Sequence, residues 1–94
     1  MKSLKLMALD VGTKRIGIAL ANSFIKIAIP FTTVEINNDV DSAIKQIIEI
    51  ISKEEIDVLV VGLPRNQSGE ETSQTAYTKE FVKNFEYSVD KICF

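Results

Sequence analysis

The sequence holds no histidine and one cysteine, Cys93. Those shortages exclude a disulfide framework and a zinc cluster within one chain. They also exclude a Ser-His-Asp triad and a Cys-His pair. Cys93 lies in the apolar run Ile92-Cys93-Phe94. It reads as a small buried hydrophobe rather than a nucleophile. Long hydrophobic runs are missing too, and none is long enough to cross a bilayer. The amino terminus, Met1-Lys2-Ser3-Leu4-Lys5, has two bases but no signal-type core, and Asp10 arrives too early for one. The expectation is a cytoplasmic protein that does not engage a membrane.

What is present is a small, ordinary globular composition. The chain has 94 residues, 46% of them hydrophobic, which argues for one folded domain over 1–94 and against disorder. A chain this short buries only roughly 60–65% of its unfolded surface, so its stability margin is thin. Net charge is −2 but unevenly spread. Residues 1–34 carry Lys2, Lys5, Lys14, Arg15 and Lys26 against Asp10 alone, whereas residues 35–94 carry 6 bases against 12 acids. A basic amino-terminal end is compatible with an approaching polyanion, and equally with a solvated charge distribution.

The basic end also carries the most informative segment, LDVGTKRIG, Leu9 to Gly17. An apolar strand delivers one acid, Asp10, and the chain then turns at Gly12. A carboxylate at the end of a buried strand is costly unless it is hydrogen-bonded, paired or bound to a cation. Here two bases follow it, and a glycine lets backbone approach a ligand closely. That combination suggests metal and phosphate chemistry. The plain alternative is a β-hairpin whose turn contains Asp, Gly and Thr, all ordinary turn residues.

Further along, Leu4–Asp10 and Ile16–Ala21 read as two strands of a hairpin. Ile25–Glu35 reads as a third, with Ile25, Ile27 and Ile29 alternating against Lys26 and Ala28, and Pro30 arguing for an edge or a bulge. Asn37-Asn38-Asp39 reads as turn and N-cap. Val40 to Lys53 has helical period, with Val40, Ile44, Ile47, Ile48 and Ile51 on one face. Asp57 to Gly62 looks like a central parallel strand covered on both faces. Ser68 and Glu71 suggest a capping box for a second helix, striped by Tyr77, Phe81 and Phe85 and ending near Asn84. Ser88 to Phe94 reads as a fifth strand. The order β-β-β-α-β-α-β makes a mixed α/β sheet with helices on its faces. In such sheets working residues lie at the carboxyl ends of strands. Asp10 and the segment Gly62-Leu63-Pro64-Arg65-Asn66 are therefore expected on one rim.

Two segments, LDVGTKRIGIAL (Leu9–Leu20) and VVGLPRNQSG (Val60–Gly69), resemble the YqgF-type ribonuclease H-like proteins, known as Holliday-junction resolvases and as pre-16S rRNA nucleases. The order of the motifs, their separation and the helix between them all agree, and the resemblance spans essentially the whole chain. It implies a ribonuclease H-like α/β sheet and a hydrolase that cleaves phosphodiester bonds with divalent ions, Mg2+ or Mn2+. It implies Asp10 as catalytic residue and metal ligand. It places Gly12, Thr13, Lys14, Arg15, Arg65 and Asn66 against nucleic acid, either structured RNA or junction DNA.

The family continues past its fifth strand into a second acidic motif and a later helix with a further acid. This chain stops at Phe94, so the expectation is a fold truncated at its carboxyl end and inactive by itself. Asp57 and Asp90 belong at the opposite end of the sheet. Glu70 and Glu71 read as acids of a helix first turn. The apolar strand at the chain end also invites a homodimer or strand exchange. Two other functions remain open. Strand-Asp-x-Gly-Thr also resembles the first phosphate motif of the actin-like ATPases, although those need two such domains. A non-catalytic nucleic-acid-binding module is the other, although this acidic chain lacks an aromatic stacking platform.

Overall fold

A computed structural model describes residues 3–25, 27–63, 69 and 72–94. Three strands open the chain: β1 (Lys5–Val11), β2 (Arg15–Asn22) and β3 (Ile29–Glu35). Helix α1 (Val40–Lys53), strand β4 (Val58–Val61), helix α2 (Ser73–Val82) and strand β5 (Lys91–Cys93) follow. The five strands form one sheet in the order β3-β2-β1-β4-β5. The first two pairings are antiparallel, and β4 runs parallel to both β1 and β5. This is the mixed α/β sheet expected, with β1 at its centre.

β3 is an edge strand, and the pairing with β2 shifts register between Ile18 and Ala19, opposite Thr32 and Pro30. Proline, which has no N–H to donate, is tolerated at such a place. The strand starts at Ile29 rather than Ile25. The Asn22 side chain accepts hydrogen bonds from the N–H groups of Phe24 (3.0 Å) and Ile25 (2.7 Å), and this local turn competes with strand pairing. β5 is likewise shorter than expected. Turns occupy 86–90, where the Asp90 N–H donates to the Asp57 carbonyl at 2.8 Å.

Asp39 caps α1 as expected, its side chain accepting from the Ser42 N–H at 3.0 Å. The helix buries Ala43, Ile47 and Ile51, with Ile44, Ile48 and Ile50 packed at the margin. Val40, expected on that face, lies exposed in the first turn. α2 is capped by Thr72 rather than Ser68: Thr72 Oγ1 accepts from the Thr75 N–H, and Thr75 Oγ1 accepts from the Thr72 N–H at 3.1 Å. Ser68 and Glu71 lie outside the described residues. Phe81 and Phe85 are buried and meet edge-on, with ring centroids 5.6 Å apart.

Both helices cover the same face of the sheet. Met7, Leu9 and Val11 of β1, with Leu59 and Val61 of β4, join Ile47, Ile51, Phe81 and Phe85 in one core. The reason is topological. β3, β4 and β5 are parallel, and each crossover steps the same way along the sheet. Right-handed crossovers then place α1 and α2 on one side. Among the described residues the expected cover on both faces of β4 is therefore not found, and Val60 is 40% exposed. The other face presents Leu6, Ala8 and Asp10 of β1 beside Ala21, Ala19 and Gly17 of β2, a layer of mostly small side chains.

Candidate active site

β1 carries Asp10 to the carboxyl end of the sheet, one residue before the strand stops at Val11. Alternation puts its side chain on the uncovered face, opposite Gly17 of β2. The sequence suggested a carboxylate that burial would penalise. Asp10 is instead exposed, because among the described residues no helix covers this face and its cross-strand neighbour has no side chain. A Cβ at Gly17 would lie 3.6 Å from the Asp10 Cβ, an ordinary contact. Among the described residues Asp10 has no ion-pair partner.

The turn that follows is tightly built. The Gly12 N–H donates to the Arg15 carbonyl at 2.9 Å, and a Cβ at Gly12 would stand 2.7 Å from that same oxygen. Glycine is required here by close backbone approach. Thr13 and Lys14 form the exposed tip, and the Lys14 carbonyl accepts from the Ile36 N–H at 3.0 Å. Arg15 is paired across the strands with Glu35, its Nε 3.7 Å from Oε1. Both groups are largely solvated, so the pair is weak and leaves the guanidinium accessible.

β4 ends beside this turn. The Gly62 N–H donates to the Leu9 carbonyl at 3.3 Å, extending the β1–β4 pairing toward Asp10. Asp10, Val11, Gly12 and Thr13 share an open depression of about 560 Å³ with Gly62, Leu63 and Gln74. The start of the second sequence motif thus meets the first on one rim. Arg65 and Asn66, expected to line it, lie outside the described residues.

Gln74 is the rim residue that sequence reasoning missed. It stands in the first turn of α2 and its Nε2 donates to the Val11 carbonyl at 3.1 Å. That carbonyl ends β1, so one side chain ties the helix start to the strand that presents Asp10. A glutamine at a helix start carries no distinguishing sequence signal.

The other acids are placed as expected or fall outside the described residues. Asp57 Oδ2 accepts from the Lys5 N–H at 2.8 Å, at the far end of the sheet, and Asp90 is hydrogen-bonded to the Asp57 backbone there. Glu70 and Glu71 lie outside the described residues. Among the described residues no group of three or more carboxylates and thiols is placed to hold a metal ion. Asp10 alone is too small a donor set for a Mg2+ or Mn2+ pair, since hard cations take several oxygen ligands. No helix among the described residues is long and apolar enough to cross a membrane.

Comparison with known proteins bears on the same segments. Residues 4–93 match the family model described as RuvX, Holliday junction resolvase. A Sulfurihydrogenibium sp. protein is 40% identical over 80 residues, covering 85% of this chain and 53% of its own. A Roseobacter denitrificans protein is 35% identical over 85 residues, covering 89% and 51%. A Maridesulfovibrio salexigens protein is 32% identical over 87 residues, covering 93% and 64%. Each of the three bears the name "Putative pre-16S rRNA nuclease". The chain spans between about half and two-thirds of the length of these relatives.

Proposed function

The chain belongs to the RuvX family of Holliday junction resolvases, and from that membership we propose that it carries the amino-terminal part of a nuclease that cleaves phosphodiester bonds in structured nucleic acid. The names of its relatives favour precursor 16S rRNA as the substrate; the reaction proposed is processing of its 5′ end, in the cytoplasm. The observation that supports this reading most is the shared rim. Asp10, the Gly12–Arg15 turn and Gly62-Leu63 converge where a phosphate could approach from solvent. Asp10 is the proposed catalytic carboxylate. Gly12 lets the backbone turn without a side chain in the way, and Thr13, Lys14 and Arg15 present a hydroxyl and two cations to a phosphate backbone. Arg65 and Asn66 are proposed to extend that contact.

Metal dependence is proposed in a restricted form. Asp10 contributes one carboxylate to a site for Mg2+ or Mn2+, and the described residues do not complete that site. The 94-residue chain by itself is therefore expected to cleave little or nothing.

The test compares the 94-residue chain with a chimera in which residues 4–93 replace the matching segment of the Sulfurihydrogenibium relative. Both are incubated with Mg2+ and either 5′-extended precursor 16S rRNA or a four-way DNA junction. The reading expects the chimera alone to cleave, with the RNA preferred. Preferential cleavage of the junction would transfer the assignment to DNA. A chimera that folds, binds ATP and cleaves neither substrate would favour the ATP-binding alternative. Steeply salt-dependent, Mg2+-independent binding without cleavage would favour a non-catalytic module.

A further inference from the structure

Asp10 stands between two carbonyls that are held from the same side. Leu9, before it, accepts from the Gly62 N–H at 3.3 Å. Val11, after it, accepts from Gln74 Nε2 at 3.1 Å. Carbonyls two residues apart on a strand point the same way, so both face β4. β4 itself stops at Val61, and the Gly62 N–H makes the next bond to β1. The Gln74 amide then supplies the following rung, from a helix where a strand has ended. The Val11–Gly12 peptide is pinned on both sides, because its N–H donates to the Arg15 carbonyl at 2.9 Å. Backbone at an unsupported strand end is otherwise among the first to open. Gln74 is itself firmly based. Thr72 and Thr75 close the capping box on either side of it, and Thr78 Oγ1 donates to its carbonyl at 2.9 Å. Thr75 and Thr78 are fully buried, and Phe81 seats the helix in the core.

We propose that Gln74 is a positioning residue for Asp10, holding the end of β1 in the conformation that aims the carboxylate at the scissile phosphate. The role rests on the nuclease reading above. Gln74 lines the same depression as Asp10, but the bond it donates goes to the backbone behind the acid. It acts through the strand and not on the reacting atoms. Rates depend steeply on such support, since a misplacement of about 1 Å costs up to about 10²-fold. Supporting side chains do this best when their own base is rigid, as the capping box and Thr78 make it here.

The test has two parts. Gln74→Met keeps the bulk and loses the donor. Asn84→Leu is the control: Asn84 Nδ2 donates to the Phe81 carbonyl at 2.8 Å, so the change removes a bond of the same kind beyond the other end of α2. The first part is backbone amide relaxation of the 94-residue chain by NMR. Order parameters at Val11 and Gly12 are expected near ~0.85 in the wild type and to fall toward ~0.6 in Gln74→Met, with Asn84→Leu unchanged. The second part is single-turnover cleavage, over a series of chimera concentrations, of the RNA or junction that the chimera cleaves, with folding verified by circular dichroism. Gln74→Met is expected to lower the saturated rate at least about tenfold at an unchanged half-saturating concentration. Loss of folded protein alone would raise that concentration and spare the saturated rate. Should Gln74→Met unfold, Gln74→Glu replaces it in both parts, because an acid suits the first turn of a helix and a carboxylate has no N–H to donate. Order parameters that Gln74→Met leaves unmoved overturn the proposal whatever the chimera does. So does a saturated rate that it leaves unmoved, or one that Asn84→Leu lowers as much. A chimera that cleaves nothing before any substitution removes the nuclease reading and this role together.

Discussion

Gln74 Nε2 donates to the carbonyl oxygen of Val11 across 63 residues of sequence, at 3.1 Å. This contact fastens the first turn of α2 to the last residue of β1, immediately after Asp10. Replacing Gln74 with Met keeps the bulk and removes the donor. The expected cost is about 1–2 kcal/mol, since a part-buried carbonyl is left without its partner. Urea unfolding of the two proteins measures it as a lower midpoint at unchanged slope.

Gly12 and Gly17 flank the same carboxylate and should respond oppositely to alanine. At Gly12 a Cβ would press to 2.7 Å on the Arg15 carbonyl, so Gly12→Ala is expected to cost about 1–3 kcal/mol as the turn opens. At Gly17 the added Cβ makes an ordinary 3.6 Å contact with Asp10, and alanine suits a strand interior better than glycine. Gly17→Ala is expected to be neutral or stabilising by up to about 1 kcal/mol. Thermal unfolding of both variants separates the two cases.

Lys14 and Arg15 test whether the turn charges serve the fold or a polyanion. The Arg15–Glu35 pair is long and solvated, so Arg15→Gln is expected to change stability by less than about 0.5 kcal/mol. In the chimera, Lys14→Gln and Arg15→Gln should each weaken RNA binding and lower the salt slope by about one phosphate contact. Binding isotherms at several salt concentrations read both effects.

Phe85 is fully buried in the turn after α2 and closes the core against Phe81. Phe85→Ala is expected to cost about 3–5 kcal/mol, a large share of what a domain of this size possesses. Loss of a cooperative thermal transition would be the observable.

Much of this architecture is legible in the sequence, for identifiable reasons. Val40–Lys53 was recognisable because its period is long and Asp39 can cap it. β1, β2 and β4 stand out as apolar runs, and Pro30 marks an edge with a register shift. Other features depend on contacts that local pattern does not contain. Ile25 and Ile27 alternate like a strand, yet Asn22 turns the chain there and leaves both exposed. The Ser68–Glu71 spacing points to a capping box, whereas the cap of α2 is Thr72, whose partner Thr75 is not the Glu or Gln that the pattern looks for. That the described helices cover one face of β4 follows from the handedness of two crossovers. Within the candidate site, Asp10 and the Gly12 turn were legible because acid and glycine close a strand together. Gln74 was not, because its partner is a backbone carbonyl far away in sequence.

The central claim is that Asp10 is the catalytic carboxylate of a phosphodiester-cleaving rim. Its most direct test is the single-turnover rate of precursor 16S rRNA cleavage by the chimera with and without Asp10→Asn, at saturating Mg2+ and with folding verified. The account predicts a loss of at least about 10²–10³-fold with little change in RNA affinity. An Asp10→Asn protein that cleaves at the unsubstituted rate would contradict it.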